Sequence, residues 1–210
     1  MGEKREANRL QKEAEITAAA ESLFCERGFE GASMNDLAAR TGYTKRTIYK
    51  YFACKEDLFF AVILRGYERL WAAVQKDTGR GGTGFEKLER AYAAFRALYR
   101  ERPGLLTLMG MTGLVKSKSE EMDLPYRKRF YEFDREMFDG ICALFRGGQE
   151  DGSVRGDMEA QYLMYSAVFG LTGFFHMLSL TGRAYLSMAG MNEDKFIETS
   201  LRLFLDSVRA

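Results

Sequence analysis

A chain of 210 residues, 46% of them hydrophobic, has room for one domain, or a small domain beside a larger one, and enough apolar material for a core. The formal net charge of +1 points to no particular partner, and only two prolines, Pro103 and Pro125, favour an all-helical protein. The three cysteines, Cys25, Cys54 and Cys142, are odd in number, far apart and without CxxC spacing; that argues against a disulfide frame or a metal site and for reduced thiols in a cytoplasmic protein.

The opening MGEKREANRL is charged with no apolar run behind it, which predicts no signal peptide. No stretch approaches 18 uninterrupted apolar residues, so no membrane span is expected. In KEAEITAAAESLFCERGF, Ile16, Ala20, Leu23 and Phe24 fall at i, i+4, i+7 and i+8, one face of a first helix that Gly28 should end. A second helix begins near Ser33, whose hydroxyl can cap it with Asp36 three residues on, and is cut short by Thr41-Gly42.

Thr44 then caps a third helix, TKRTIYKYF. At about 100° per residue with Ile48 at zero, Phe52 falls at about 40°, while Arg46 and Lys50 fall at about 160° and about 200°. Two apolar residues pin the segment down and a cationic face, flanked by Thr47 and Tyr49, looks outward; Lys45 and Tyr51 are expected nearer the buried edge. From Leu37 to Lys55 there is no acidic residue but five bases, a local strip of the kind that meets phosphate.

A fourth helix starts around Lys55-Glu56-Asp57 and runs past Trp71 to the glycine-rich DTGRGGTG. Phe85 to Arg102 is predicted helical and broken by Pro103-Gly104. A weaker segment, LLTLMGMTGLV, follows, then a long helix from Pro125 to Arg146 closed by Gly147-Gly148. Two more helices, roughly Met158–Leu180 and Asn192–Val208, complete the chain, which shows no repeat and no strand-like alternation of useful length.

Two short helices, Ser33–Arg40 and Thr44–Tyr51, joined by a tight turn, have the dimensions of a helix-turn-helix, whose second helix enters the DNA major groove. Arg46 could then pair with guanine, and Thr47 and Tyr49 could touch thymine methyls or phosphates. Lys45, Lys50, Tyr51 and Lys55 could hold the flanking backbone, with Ser33 and Thr44 at helix N-termini suited to phosphate.

The run AAAESLFCERGFEGASMNDLAARTGYTKRTIYKYFACKEDLF resembles the N-terminal domain of the TetR/AcrR family of bacterial transcriptional regulators. Order, spacing and residue types agree from about Ile16 to Leu58, a fifth to a quarter of the chain. Family members often carry a small residue or glycine where Arg46 stands and a small aliphatic where Tyr43 stands, so the family's common operator pattern does not carry over.

The resemblance implies an all-α chain: a three-helix helix-turn-helix domain at 9–55 (the motif itself at about 33–52), followed by a larger helical domain at 56–210 for effector binding and dimerisation. It implies a homodimer on a palindromic double-stranded DNA operator, most often a repressor released by a small apolar effector. In AVFGLTGFFHMLSL, Gly170 and Gly173 let backbones come close; with Phe174, Met177, Phe196, Leu201 and Phe204 they could supply half of a four-helix interface. The remaining Met and aromatic residues, Trp71, Phe95, Tyr99, Met109, Phe133, Met137 and Tyr165, with the single histidine His176, are the candidates for an effector pocket, since methionine adapts to irregular apolar shapes. Plain core is the competing use for all of them.

An enzyme is the main rival class. There is no HExxH, no GxSxG and only one histidine, and GRGGTG lacks both a preceding strand and a Walker lysine. No catalytic residue and no cofactor is predicted. A helical small-molecule-binding or scaffold protein whose basic helix contacts a protein partner is the other alternative.

Overall fold

The computed structural model describes residues 2–113, 115 and 123–210. Among them the regular structure is helical, and the only extended pairing is an isolated antiparallel bridge between Val154 and Arg209. The helices are α1 (Gly2–Gly31), α2 (Met34–Thr41), α3 (Lys45–Ile48), α4 (Lys55–Thr78), α5 (Gly84–Glu101), α6 (Pro103–Gly110), α7 (Pro125–Glu150), α8 (Ala160–Met177), α9 (Arg183–Met188) and α10 (Glu193–Asp206). Of the weak segment LLTLMGMTGLV, Leu114 lies outside the described residues.

The chain divides into two compact units. The first holds residues 1–66 with 111–133, the second 67–110 with 134–210, so α4 and α7 each begin in the first and end in the second. In the first unit the face predicted for α1 is buried, with Ile16, Ala20, Leu23 and Phe24 no more than 3% exposed. Gly28, at φ 72°, interrupts α1 near its end, a left-handed conformation that costs glycine no Cβ clash. Phe24, Phe29 and Phe59 then pack edge to face, with centroids 5.6 Å and 5.0 Å apart along the series.

In the second unit a core of Phe85, Leu88, Phe145, Leu163 and Met164 joins α5, α7 and α8. Gly147 and Gly148 do not close α7 as expected; neither has positive φ, and the helix runs on to Glu150. The reason is a close approach: a Cβ on Gly84 would lie 2.2 Å from the Cα of Gly148, and one on Gly148 would lie 2.4 Å from Val154 Cγ2. The predicted helix at 158–180 is also longer than expected. α8 continues through a π-helical turn, Leu178–Gly182, into α9. Within the stretch Ala160–Met188 an 18-residue window reaches a mean hydropathy of 1.4, long and apolar enough by composition to cross a membrane. Counting uninterrupted apolar runs missed it because serine, threonine and glycine break the run without making it polar.

Candidate nucleic-acid interface

The turn between α2 and α3 is built by local side-chain chemistry. Ser33 caps α2: its hydroxyl accepts from the Asp36 amide at 3.2 Å, and the Asp36 carboxylate accepts from the Ser33 amide at 3.1 Å and from its hydroxyl at 2.5 Å. The Ser33 hydroxyl, foremost, and the Arg27 guanidinium hold the Asp36 carboxyl below the usual carboxylate range. Gly42, at φ 70°, terminates α2 with its amide on the Ala38 carbonyl. Thr44 then starts α3, its hydroxyl accepting from the Thr47 amide at 3.2 Å.

The recognition segment is shorter as an α-helix than its sequence pattern suggests. After Ile48 the chain tightens: the Lys50 and Tyr51 amides reach back only three residues, to Thr47 and Ile48, before Phe52 returns to Ile48 at 3.2 Å. The mixed ladder still keeps Ile48 and Phe52 on one side, and both are 0% exposed. Burying the two contributes about 1.5–3 kcal/mol each, which fixes the orientation of everything between them.

What that leaves outside is Lys45, Arg46, Tyr49 and Lys50, all exposed, with Thr47 and Tyr51 half-buried beside them. Lys45 is thus further out than its wheel position predicted. Among the described residues no ion pair engages Lys45, Arg46 or Lys50. Arg40, by contrast, is forked onto Glu26 at 2.7 Å and 2.5 Å. Lys55 is also engaged: its ammonium lies 4.4 Å from the Phe29 ring centroid and 3.4 Å from the Glu30 carbonyl. Ser33 commits its hydroxyl to Asp36. Tyr43, at the turn, donates to Glu15 at 2.6 Å and so ties the turn to α1.

Sequence reasoning missed Tyr126, the second residue of α7. Its ring packs on Phe52 at 5.3 Å, its amide donates to the buried Asp57 carboxylate at 2.8 Å, and its hydroxyl donates to Glu13. No local signal marks it, because its partners are distant in sequence.

The candidate effector residues fall into separate groups. In the second unit Phe95 and Tyr99 meet Phe175, at 6.5 Å and 5.1 Å, and the His176 ring lies where a Cβ on Gly110 would be 2.1 Å from Nδ1. Met109 and Met137 are buried, and the Trp71 ring covers Gly140. Tyr165 stacks between Phe138 and Phe169 and is exposed, while Phe133 belongs to the first unit. Two clefts in the second unit, about 480 Å³ between α4 and α5 and about 390 Å³ between α5 and α10, are lined by none of these eight. The candidate interface residues also divide. Phe174 packs inward on Phe196 and Phe204, at 5.8 Å and 5.5 Å, and Leu201 is buried, whereas Gly170, Gly173 and Met177 face out.

Comparison with known proteins places this geometry in context. The family profile described as bacterial regulatory proteins, tetR family, matches residues 16–62, from the second half of α1 through the first turns of α4. The transcriptional activator FasR of Mycolicibacterium smegmatis is 30% identical over 97 residues, 45% of this chain; the chain spans less than half of that protein, 44% of its length. The transcriptional repressor AcnR of Corynebacterium diphtheriae is 26% identical over 80% of this chain and 81% of its own length. The Bacillus subtilis regulator FadR, solved in complex with stearoyl-CoA, shares the fold with a TM-score of 0.72, covering 93% of this chain and 99% of that one at 16% identity.

Proposed function

We propose that this chain, whose residues 16–62 match the tetR-family profile of bacterial regulatory proteins, is a DNA-binding transcriptional regulator that acts as a cytoplasmic homodimer on a palindromic operator, repressing transcription until a small apolar effector releases it. The observation that carries the DNA reading is the exposed outward face of Lys45, Arg46, Tyr49 and Lys50, held by two fully buried anchors. Among the described residues these cations have no ion-pair partner, which supports reading them as major-groove contacts; such a groove, about 12 Å wide, admits one helix. In this reading Arg46 pairs with guanine, Thr47 and Tyr49 touch thymine methyls or phosphates, and Lys45, Lys50, Tyr51, Lys55, Ser33 and Thr44 hold the DNA backbone. Residues 9–55 are the reading module and 56–210 the effector and dimerisation module. The exposed apolar stripe of α8 and α9 supports pairing of two copies. The buried methionines and aromatic rings of the second unit support an apolar effector.

The test is a gel shift on duplex DNA from upstream of the protein's own reading frame, across a salt series. A specific, salt-dependent shift is expected. A scaffold protein or an enzyme would give none. A second reading, activation, is favoured by the stretch shared with an activator at 30% identity. Deleting the gene beside an operator-driven reporter separates them: reporter output rises if the protein represses and falls if it activates.

A further inference from the structure

We infer that Tyr126 is a positioning residue for DNA reading, through which α7 sets the attitude of the Arg46–Lys50 face. The inference rests on the proposed DNA reading and goes beyond it, to how the reading face is held.

Tyr126 is attached at three points. Its ring lies on Phe52 with centroids 5.3 Å apart and planes inclined by 33°. Its hydroxyl donates to Glu13 of α1, and the Arg129 guanidinium covers the ring at 4.8 Å. Its amide donates to Asp57 Oδ1 at 2.8 Å. The other oxygen of the same carboxylate accepts the Ala53 amide at 3.1 Å, and Ala53 is the residue that follows Phe52. One carboxylate, 1% exposed, therefore bridges the end of the recognition segment and the start of α7. The bond to the Tyr126 amide is buried, so losing it would leave a buried carboxylate oxygen without that partner, and the shared carboxylate links the two backbones.

The recognition segment is joined covalently to α2 through the turn, which Tyr43 ties to α1, and to α4. Its link to α7 is the Phe52–Tyr126 contact with the Asp57 bridge. Further along, α7 passes under the only tryptophan: a Cβ on Gly140 would lie 2.5 Å from the Trp71 ring, so that ring rests directly on helix backbone. Trp71, resting on the backbone of α7, therefore serves as a reporter on that helix.

The experiment uses the full chain as wild type, Tyr126→Ala, Tyr126→Leu and Tyr126→Phe. The probe is the upstream duplex DNA, with affinity read by anisotropy of labelled DNA. Trp71 emission is read on saturation with unlabelled DNA, and thermal unfolding serves as the control. Saturating DNA is expected to change wild-type Trp71 emission. Tyr126→Ala removes the ring and hydroxyl contacts but keeps the backbone amide on Asp57; it is expected to reduce that change and to weaken binding about 5-fold or more, the lower end of ordinary coupling. Tyr126→Phe, which keeps the ring on Phe52, should retain the emission response. Tyr126→Leu restores apolar volume but not the flat ring contact, and should behave as Tyr126→Ala; it replaces that variant if alanine unfolds the chain. Trp71 sits on α4, so a signal carried by α4 alone would survive undiminished in Tyr126→Ala, and that result overturns the inference. A wild-type protein that binds DNA without any Trp71 response overturns it too, leaving the DNA reading intact. Failure of the wild type to bind DNA overturns both.

Discussion

At the residue scale, buried anchors and exposed cations have separable jobs, and substitution should separate them. Lys50→Ala and Tyr49→Ala remove exposed groups, so operator affinity should fall while the unfolding temperature stays within the range of surface changes. If Lys50 neutralises a phosphate, the slope of log affinity against log salt should also shrink by roughly 1; an equal loss of affinity and stability would instead make these side chains structural. Ser33→Ala removes a helix cap and should cost about 1 kcal/mol at neutral pH. Asp36 titrates below the usual carboxylate range in the folded chain, chiefly because of the Ser33 hydroxyl. Its share of the stability is therefore present at neutral pH and is lost as pH falls through that depressed value. Urea melts in neutral and strongly acidic buffer should show the gap between wild type and Ser33→Ala narrowing in acid. The outward face and both caps were legible because they depend on neighbours within four residues. Lys55 and Asp57 were not. Each reads as part of a charged helix start, yet one lies over Phe29 and the other is buried between two backbone amides, partners that only the tertiary fold supplies.

At the element scale, periodicity located the helices, and glycine was the residue it misread. Gly28 and Gly42 end or interrupt helices as a sequence argument expects, because both adopt positive φ. Gly148 looks the same in sequence and does the opposite job, allowing α7 to run against the start of α5. Nothing in the local pattern distinguishes a glycine that turns the chain from one that makes room for another helix. The difference is testable with one pair of substitutions. Gly84→Ala sets a Cβ 2.2 Å from a backbone atom that no rotamer change can move, so the α5–α7 contact must open. A loss of about 1–3 kcal/mol or more is expected, as for an overpacked core. Gly147→Ala meets nothing within 4 Å and replaces a helix-interior glycine; a gain of about 0.5–1 kcal/mol is expected. Chemical denaturation of the two variants beside wild type checks the sign of each.

At the scale of the whole molecule, the question is what covers the apolar surface of α8 and α9. Tyr162, Tyr165, Phe169, Met177 and Leu180 recur at helical spacing and are exposed, with Gly170 and Gly173 among them; Tyr185 and Met188 continue the exposure into α9. A lipid-facing span would be apolar all round and would leave its other faces free. Here the opposite side is already used: Leu163, Met164, Leu171 and Phe175 are buried in the second unit. One stripe buried and one stripe bare fits a helix shared between two protein layers, and a stable pairing needs about 800 Å² from each partner. Two copies of this surface, related by a two-fold axis, would present the same small residues to each other at Gly170 and Gly173, where backbones can approach. Phe169 is 70% exposed and Met177 is 57% exposed, so charging them should leave the protomer fold unharmed. The double variant Phe169→Asp, Met177→Asp is therefore expected to unfold at the wild-type temperature yet run as a monomer in light scattering, because four carboxylates would face one another across the axis. It should also lose the full-length operator shift, since a single reading face contacts only one half-site. A variant that stays dimeric would move the interface elsewhere, and one that is monomeric but binds the palindrome as tightly as wild type would separate pairing from DNA reading.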